Sequence, residues 1–399
     1  MSGPLAGLRV LELTNFIAGP FCGCLLSDLG ADVIKVEIPG VGDHARVQPP
    51  IVGGDGVGFM ALNRGKRSLA LNIKRDAGRE VFLRLVDSGD ALIENMRPGT
   101  LADLGLAPDA LMARNPGLIV CSLSGFGQTG PWSERAGLDL IAQAMSGIMS
   151  ITGEPGGAPV KCGVPVADQV SALYGALSIT AAAHERARSR RGQHIDLSLF
   201  ECALSLGVWE TAAYFGTGIV PGPIGSAHRA AAPYQAFRCA DGYITFGAVT
   251  PASWHGACVA LGLEHLEHDP GYATIADRKL REIELASQIE DVTVQRPRAY
   301  WQGRLEMAGV PCGPILRYDE TLATDHTVAR EMVGEFTHPR AGSMRAVASP
   351  VKMGRTAVRR PSAAPLLGEH SREILQEIRI GDEEIARLID IGIVQEGRP

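Results

Sequence analysis

Short runs rich in Val, Leu and Ile, each followed by a stretch of helical spacing, recur through the first half of this sequence and leave few folds open. Gly7–Leu13 reads GLRVLEL, Ala31–Glu37 ADVIKVE, Ala91–Glu94 ALIE and Leu118–Ser124 LIVCSLS. Strands with apolar residues at odd and even positions alike have little to offer water on either face, so they belong inside a sheet covered on both sides. Between the first two runs, Pro20–Leu29 carries apolar residues at helical spacing and stops at Gly30, with Pro20 read as the first helical residue. Further helical patterns cover 77–86 and open at 101–104, where Thr100 and Asp103 have the spacing of a capping box. A strand–helix–strand unit this short implies a right-handed crossover and a parallel sheet. The expected class is α/β, with a Rossmann-like open parallel sheet.

The pattern then changes. Residues 167–187 form a long Ala-rich helical stretch, followed by the basic Arg186–Arg191 turn and a strand at His194–Leu199. Gly216–Ser226 (GTGIVPGPIGS) reads as a connector. Tyr234–Ala248 alternates like a hairpin with Asp241-Gly242 at its turn, and 252–308 is mostly helical in pattern. From about Arg330 come strand-like and loop segments, then an amphipathic helix at Asp382–Ile391. The division expected is a large α/β domain over 1–215, a smaller α+β domain over 226–325, and a segment over 330–399 that returns to the first.

Composition narrows the function classes. A net charge of -6 argues against nonspecific nucleic-acid binding, which needs a basic footprint, although a local Lys/Arg cluster could still hold a phosphate-bearing cofactor. No apolar run approaches the roughly 18 residues of a membrane span. The N-terminus enters an apolar strand directly, without a basic leader. The eight cysteines are scattered, with neither Cys-x-x-Cys nor Cys/His blocks at zinc spacing. Reduced thiols in a cytoplasmic protein, no membrane and no metal are the expectations.

The first strand–turn–helix, ending its second strand at Glu37, invites a dinucleotide-binding reading. That site needs G-x-G-x-x-G so that the backbone can approach a pyrophosphate. The turn here, Asn15 to Gly23, offers only Gly19 and Gly23, so an NAD-dependent dehydrogenase is a distant alternative. Ser122-Leu123-Ser124-Gly125 is not a nucleophile elbow, and no P-loop or zinc-hydrolase motif occurs.

Ten segments, in order, carry a more specific likeness. They include Ala18-Gly19-Pro20, Leu26–Glu37 (LSDLGADVIKVE), Asn63–Leu71 (NRGKRSLAL), Glu94–Gly99 (ENMRPG), Ser124–Pro131 (SGFGQTGP) and Asp139–Gly147 (DLIAQAMSG). Gly163–Gly175 (GVPVADQVSALYG), Pro233-Tyr234, Gly309–Pro314 (GVPCGP) and Ala364–Leu375 (APLLGEHSREIL) follow. Together they resemble the family III (CaiB/BaiF-type) CoA-transferases. The resemblance implies transfer of coenzyme A from an acyl-CoA to a carboxylic acid, with coenzyme A as the shared substrate and product and no metal or NAD. It also implies an interlocked-ring homodimer, or a dimer with a homologous second subunit.

The family's nucleophile matches Asp168. CoA transfer must keep thioester energy from water, and a carboxylate does so by forming a mixed anhydride and then an enzyme–CoA thioester. With a reference pKa near ~3.9, an ordinary aspartate is ionised at neutral pH and needs no activating base. Read locally, Asp168 could equally be a helix N-cap. CoA contacts carry over to Phe16, Ile17, Leu71, Asn72, Lys74, Asn95, Met96, Arg97 and Arg135. Two family arginines are missing, since Ile38 follows Glu37 and Asp103 stands near the other position. Ile17 replaces the glutamine of the formyl/oxalyl branch, which points to an acceptor larger than oxalate: a C4–C5 dicarboxylate, or an aryl or branched monocarboxylate. Arg229 is a candidate partner for a distal carboxylate. The α-methylacyl-CoA racemases of the same superfamily carry a histidine where Leu138 stands here, and leucine cannot accept a proton. Racemase is therefore the alternative activity.

Overall fold

A computed structural model describes residues 3–397; residues 1–2 and 398–399, the ends of the expected 1–215 and 330–399 spans, lie outside the described part. Its main sheet has seven strands. In chain order the first half supplies β1 (Arg9–Leu13), α1 (Ala18–Asp28), β2 (Asp32–Glu37), β3 (Arg67–Leu71), α2 (Asp76–Ser88), β4 (Ala91–Glu94) and β5 (Ile119–Ser124). Then come α3 (Asp139–Met145), α4 (Val166–Ser189), β6 (His194–Ser198) and α5 (Leu199–Leu206).

The second half begins with a hairpin, β7 (Tyr234–Cys239) and β8 (Gly242–Gly247), whose outer edge takes β9 (Cys312–Pro314). Helices α6 (Pro251–Leu261), α7 (Glu282–Thr293) and α8 (Arg298–Met307) lie between them in the chain. A second hairpin follows, β10 (Val333–His338) with β11 (Gly342–Val347), and then α9 (Ser371–Glu377), α10 (Asp382–Asp390) and β12 (Val394–Gln395).

The strand order is β12-β3-β2-β1-β4-β5-β6, parallel throughout except where β12 pairs antiparallel with β3. Alternate residues of β1, β2, β4 and β5 enter different cores. Leu11, Ile34, Leu69 and Leu92 join Phe82 and Leu85 of α2 and Ile374 and Leu388 of α9 and α10. Val10, Val33, Ile93 and Cys121 join Leu26 of α1 and Ala172, Ala176 and Ile179 of α4. Helices on both faces are why the strands are apolar on both sides.

Two compact units result: residues 1–148, 161–212 and 325–399 form one, and 149–160 with 213–324 the other. Residues 149–160 thus cluster with the second unit, whereas the sequence had assigned them to the large domain. The second unit has its own core, in which Phe237, Ile244 and Phe246 of the hairpin meet Trp254, Leu285 and Trp301 of α6, α7 and α8.

Two local expectations fail. α1 begins at Ala18, so Pro20 is its third residue; the missing N–H costs nothing there, because first-turn N–H groups have no helical acceptor. Thr100 is no cap either, for it is the first residue of its short helix behind Gly99, which sits at φ 87°.

Candidate active site

The chain leaves β1 toward β2 and β3 on one side and returns to β4, β5 and β6 on the other. The strand order therefore reverses between β1 and β4, and ligands of open α/β sheets bind in the crevice beyond the carboxyl ends of the strands at such a point. Two turns border it, one after Leu13 and one after Glu94. They are stitched together by the Asn95 amide, whose oxygen accepts from Asn15 N at 2.9 Å and whose nitrogen donates to Asn15 O at 2.8 Å. Glu94 accepts the Met96 N–H at 2.9 Å, fixing the start of the second turn.

Beside these turns lies a cavity of about 140 Å³, lined in part by Thr14, Ile38, His44, Leu71, Lys74 and Met96. The rest of the lining is mostly apolar; the carboxylates of Glu37 and Asp43 are paired with Arg46 and Lys35, and Lys74 is the lysine that could meet a phosphate there. Arg97 faces a separate pocket of about 220 Å³ with Glu94, Gln128 and His194. Asn72 holds the chain next to the cavity, its N–H on Ile393 O at 2.8 Å and its side-chain oxygen accepting Lys74 N at 3.2 Å. Phe16 is half exposed, stacked on His44 with ring centroids 5.8 Å apart. Ile17 is half-buried at the cap position of α1, and no side chain caps that helix. Arg135 is exposed, lies 5.1 Å over the Trp132 ring, and lines neither pocket. The structure thus gathers Leu71, Lys74 and Met96 around one cavity, employs Asn95 as a clamp, and leaves Arg97 and Arg135 elsewhere. Arg229, in the second unit, donates to Gly222 O at 3.0 Å.

Asp168 is the third residue of α4, not its cap. Capping is done from outside by Asp139, the first residue of the family-like segment Asp139–Gly147, to which the sequence alone gave no role. Its Oδ1 accepts from Ala167 N at 2.9 Å and from Asp168 N at 3.3 Å, while Gln143 Nε2 donates to its Oδ2 at 2.7 Å. Gln143, fully buried, also accepts the Cys162 N–H at 2.9 Å and so ties down the approach to α4. Relieved of capping, the Asp168 carboxyl has no stabilising hydrogen bond among the described residues, and burial followed by the nearby Asp139 charge pushes it up to about 7. The expectation of an ordinary, fully ionised aspartate is corrected accordingly. Ala18, the first residue of α1, shares a buried cluster with Ala167, so the starts of the two helices meet.

Leu138, at the cap position of α3, is 71% exposed and provides no acid or base where the racemases have histidine. All eight cysteines are free thiols. Among the described residues, no helix is long and apolar enough to cross a membrane.

A half-buried, unpartnered carboxyl near the start of α4 and a cavity at the switch point of an open α/β sheet suit an enzyme of acyl-group chemistry. Known proteins give that class its family. The family model described as CoA-transferase family III matches residues 5–371. A succinate–glutarate CoA-transferase from Agrobacterium fabrum is 37% identical over 94% of this chain and 96% of its own. An acetyl-CoA:oxalate CoA-transferase from Acetobacter aceti is 35% identical, covering 94% and 96%. The crystal structure of a CAIB/BAIF family protein from Brucella suis superposes with a TM-score of 0.86 at 38% identity, covering 95% of this chain and 100% of that one. The chain belongs to CoA-transferase family III. It is a CoA-transferase, moving CoA from an acyl-CoA donor to a carboxylic acid acceptor.

Proposed function

We propose that Asp168 is the nucleophile and that the reaction passes through a covalent aspartyl–CoA thioester. The supporting observation is its carboxyl at about 7, freed from capping by Asp139. A carboxylate with a raised pKa is the more basic nucleophile once ionised. It attacks the donor's thioester carbonyl, a C–O bond forms, the C–S bond breaks, and CoA leaves as the thiolate. That thiolate attacks the aspartyl carbonyl of the mixed anhydride and releases the donor acid as its carboxylate. The acceptor carboxylate then attacks the aspartyl–CoA thioester, and the thiolate freed a second time attacks the acceptor acyl group, restoring Asp168. No net proton moves, and Asp168, CoA and the two acids suffice. The first N–H groups of α1 have no side-chain cap, and Ala18 shares a buried cluster with Ala167, so these donors suit the oxyanions of these steps.

In this reading CoA enters the crevice along Leu71, Asn72, Lys74 and Met96, with Asn95 holding the crevice in shape. Phe16 and Ile17 flank the thioester, and Arg97 and Arg135 meet outlying parts of the nucleotide. The acceptor is a C4–C5 dicarboxylate. The succinate–glutarate relative supports this, as does Ile17, beside which a small diacid would bury a charge without a partner. The working form is a cytoplasmic homodimer.

The test is transfer from succinyl-CoA to glutarate or oxalate, with wild type and Asp168→Ala. The variant should lose transfer while binding CoA as before, and hydroxylamine plus donor should label Asp168 of the wild type in peptide mass spectra. Substantial transfer by Asp168→Ala sinks the nucleophile assignment, and oxalate with the highest kcat/KM sinks the acceptor reading.

A further inference from the structure

The turn between β1 and α1 is gripped from the protein interior. The side chains of Glu12, Lys35, Asp43 and Lys66 are fully buried. Lys35 Nζ lies 2.8 Å from Glu12 Oε1 and 2.9 Å from Asp43 Oδ2, and donates to Thr14 O at 3.0 Å. Lys66 Nζ lies 2.7 Å from the other Glu12 oxygen and donates to Pro20 O at 2.8 Å. Asp43 Oδ1 accepts the N–H of Phe16 at 3.1 Å and that of Ala45 at 2.9 Å. With Asn95 on both backbone groups of Asn15, polar atoms from Thr14 to Pro20 are held by side chains from four different segments.

Stability alone does not account for this arrangement. Apolar replacements of buried ion pairs are often neutral or better, so four buried charges are a poor device for holding a fold together. The turn they hold is itself strained, since Phe16 has φ 66°, a left-handed conformation unfavourable for a side chain of that size. Strain persists where surrounding contacts over-determine it, and such places cluster at functional sites. Thr14, Asn15 and Asp43 line the crevice, while Ala18, within the turn, belongs to the same buried cluster as Ala167, the residue before Asp168.

We propose that Asp43 and Lys35 are positioning residues for CoA transfer: from the interior they fix the Thr14–Pro20 turn as the wall that aligns a thioester, bound in the crevice, with Asp168. This inference rests on the reading of Asp168 as the nucleophile. Glu12 and Lys66 complete the charge balance, Glu12 by facing both lysines and Lys66 by anchoring the first turn of α1.

The experiment compares Asp43→Asn, which retains an oxygen for the Phe16 N–H but loses the charge facing Lys35, with Asp43→Ala, which loses both. Misplacing reacting groups by about an ångström costs about 100-fold in rate. The kcat for succinyl-CoA with glutarate should therefore fall about 100-fold in Asp43→Ala and about tenfold in Asp43→Asn. Free CoA should bind both variants within about threefold of wild type, since the Asp43 carboxylate is fully buried and taken up by Lys35 and the N–H groups of Phe16 and Ala45. Amide hydrogen exchange should rise in the peptide spanning Thr14–Pro20 before it rises elsewhere. A kcat for Asp43→Ala within about threefold of wild type overturns the proposal, and so does a parallel loss of turnover and CoA affinity, which marks a merely structural role. If Asp43→Ala does not fold, Asp43→Asn decides, and wild-type kcat in that variant is fatal. Transfer persisting in Asp168→Ala instead removes the reading on which the inference rests.

Discussion

Asp168 carries a carboxyl that the fold makes costly to ionise. Its value of about 7, against the usual 3.8, follows from burial and from the Asp139 charge. With Asp168 as the proposed nucleophile, its ionised form should be lost in mild acid, and kcat/KM should fall below an apparent pKa near 7. Asp139→Asn, which removes the like charge, should move that limb down by up to about one unit. A pH–rate profile flat from pH 5 to 8 contradicts both. The same shift bears on stability. An acid whose folded value lies above its unfolded one contributes fully below the unfolded value, and the contribution is lost as pH rises through about 7. A shift this large has a ceiling of ~4 kcal/mol, which partial exposure reduces to ~1–2 kcal/mol. Asp168→Asn should thus be more stable than wild type by ~1–2 kcal/mol at pH 8 and no different at pH 4, as urea unfolding at the two pH values would show. The place of Asp168 near the start of a helix was legible from the small residues before it. Its freedom from capping was not, because the cap comes from Asp139, 29 positions away in sequence.

At the scale of elements, the packing of α1 on α4 sets the distance between the crevice turn and Asp168, the proposed nucleophile. Cys22 and Leu26 of α1 meet Ala172, Ala176 and Ile179 of α4, and the approach is close because Gly175 has no side chain. A Cβ there would lie 2.9 Å from Cys22 Sγ, and both helices are buried at this contact. Gly175→Val should therefore destabilise the protein by ~1–3 kcal/mol and lower kcat more than it raises the KM for acyl-CoA. Unchanged urea unfolding would show that the helices can part without cost. Periodicity and composition found most elements of the sheet domain, including β4 at Ala91–Glu94 to the residue. Ends were harder. The start of α1 hides behind Pro20, which is tolerated anywhere in a first turn, and the false cap at Thr100 has the spacing of a capping box without its hydrogen bond. Residues 149–160 carry no compositional mark of belonging with the second unit, since that membership rests on contacts with residues far along the chain.

At the scale of the whole molecule, the helices around Asp168 present an apolar face to solvent. Leu138 before α3, Leu173 and Leu177 of α4, Leu204 of α5, and Val208 and Trp209 just beyond it are all exposed, Trp209 by 71%. Exposed apolar surface of this extent marks an interaction site, which supports the homodimer proposed above. Sedimentation equilibrium should give twice the chain mass, and Leu177→Glu with Trp209→Glu should lower it; a wild-type mass of 42.2 kDa, one chain, would refute the dimer. What the sequence determined by itself is what local chemistry can write: strands apolar on both faces, helices between them, and a series of motifs whose order resembles that of CoA-transferase family III. The tertiary structure alone decided the crevice between β1 and β4, the clamp of Asn95 on Asn15, and the buried charges behind Phe16. It also decided the state of Asp168, because a carboxyl's proton affinity depends on the solvent and charges around it, and those neighbours are assembled by folding.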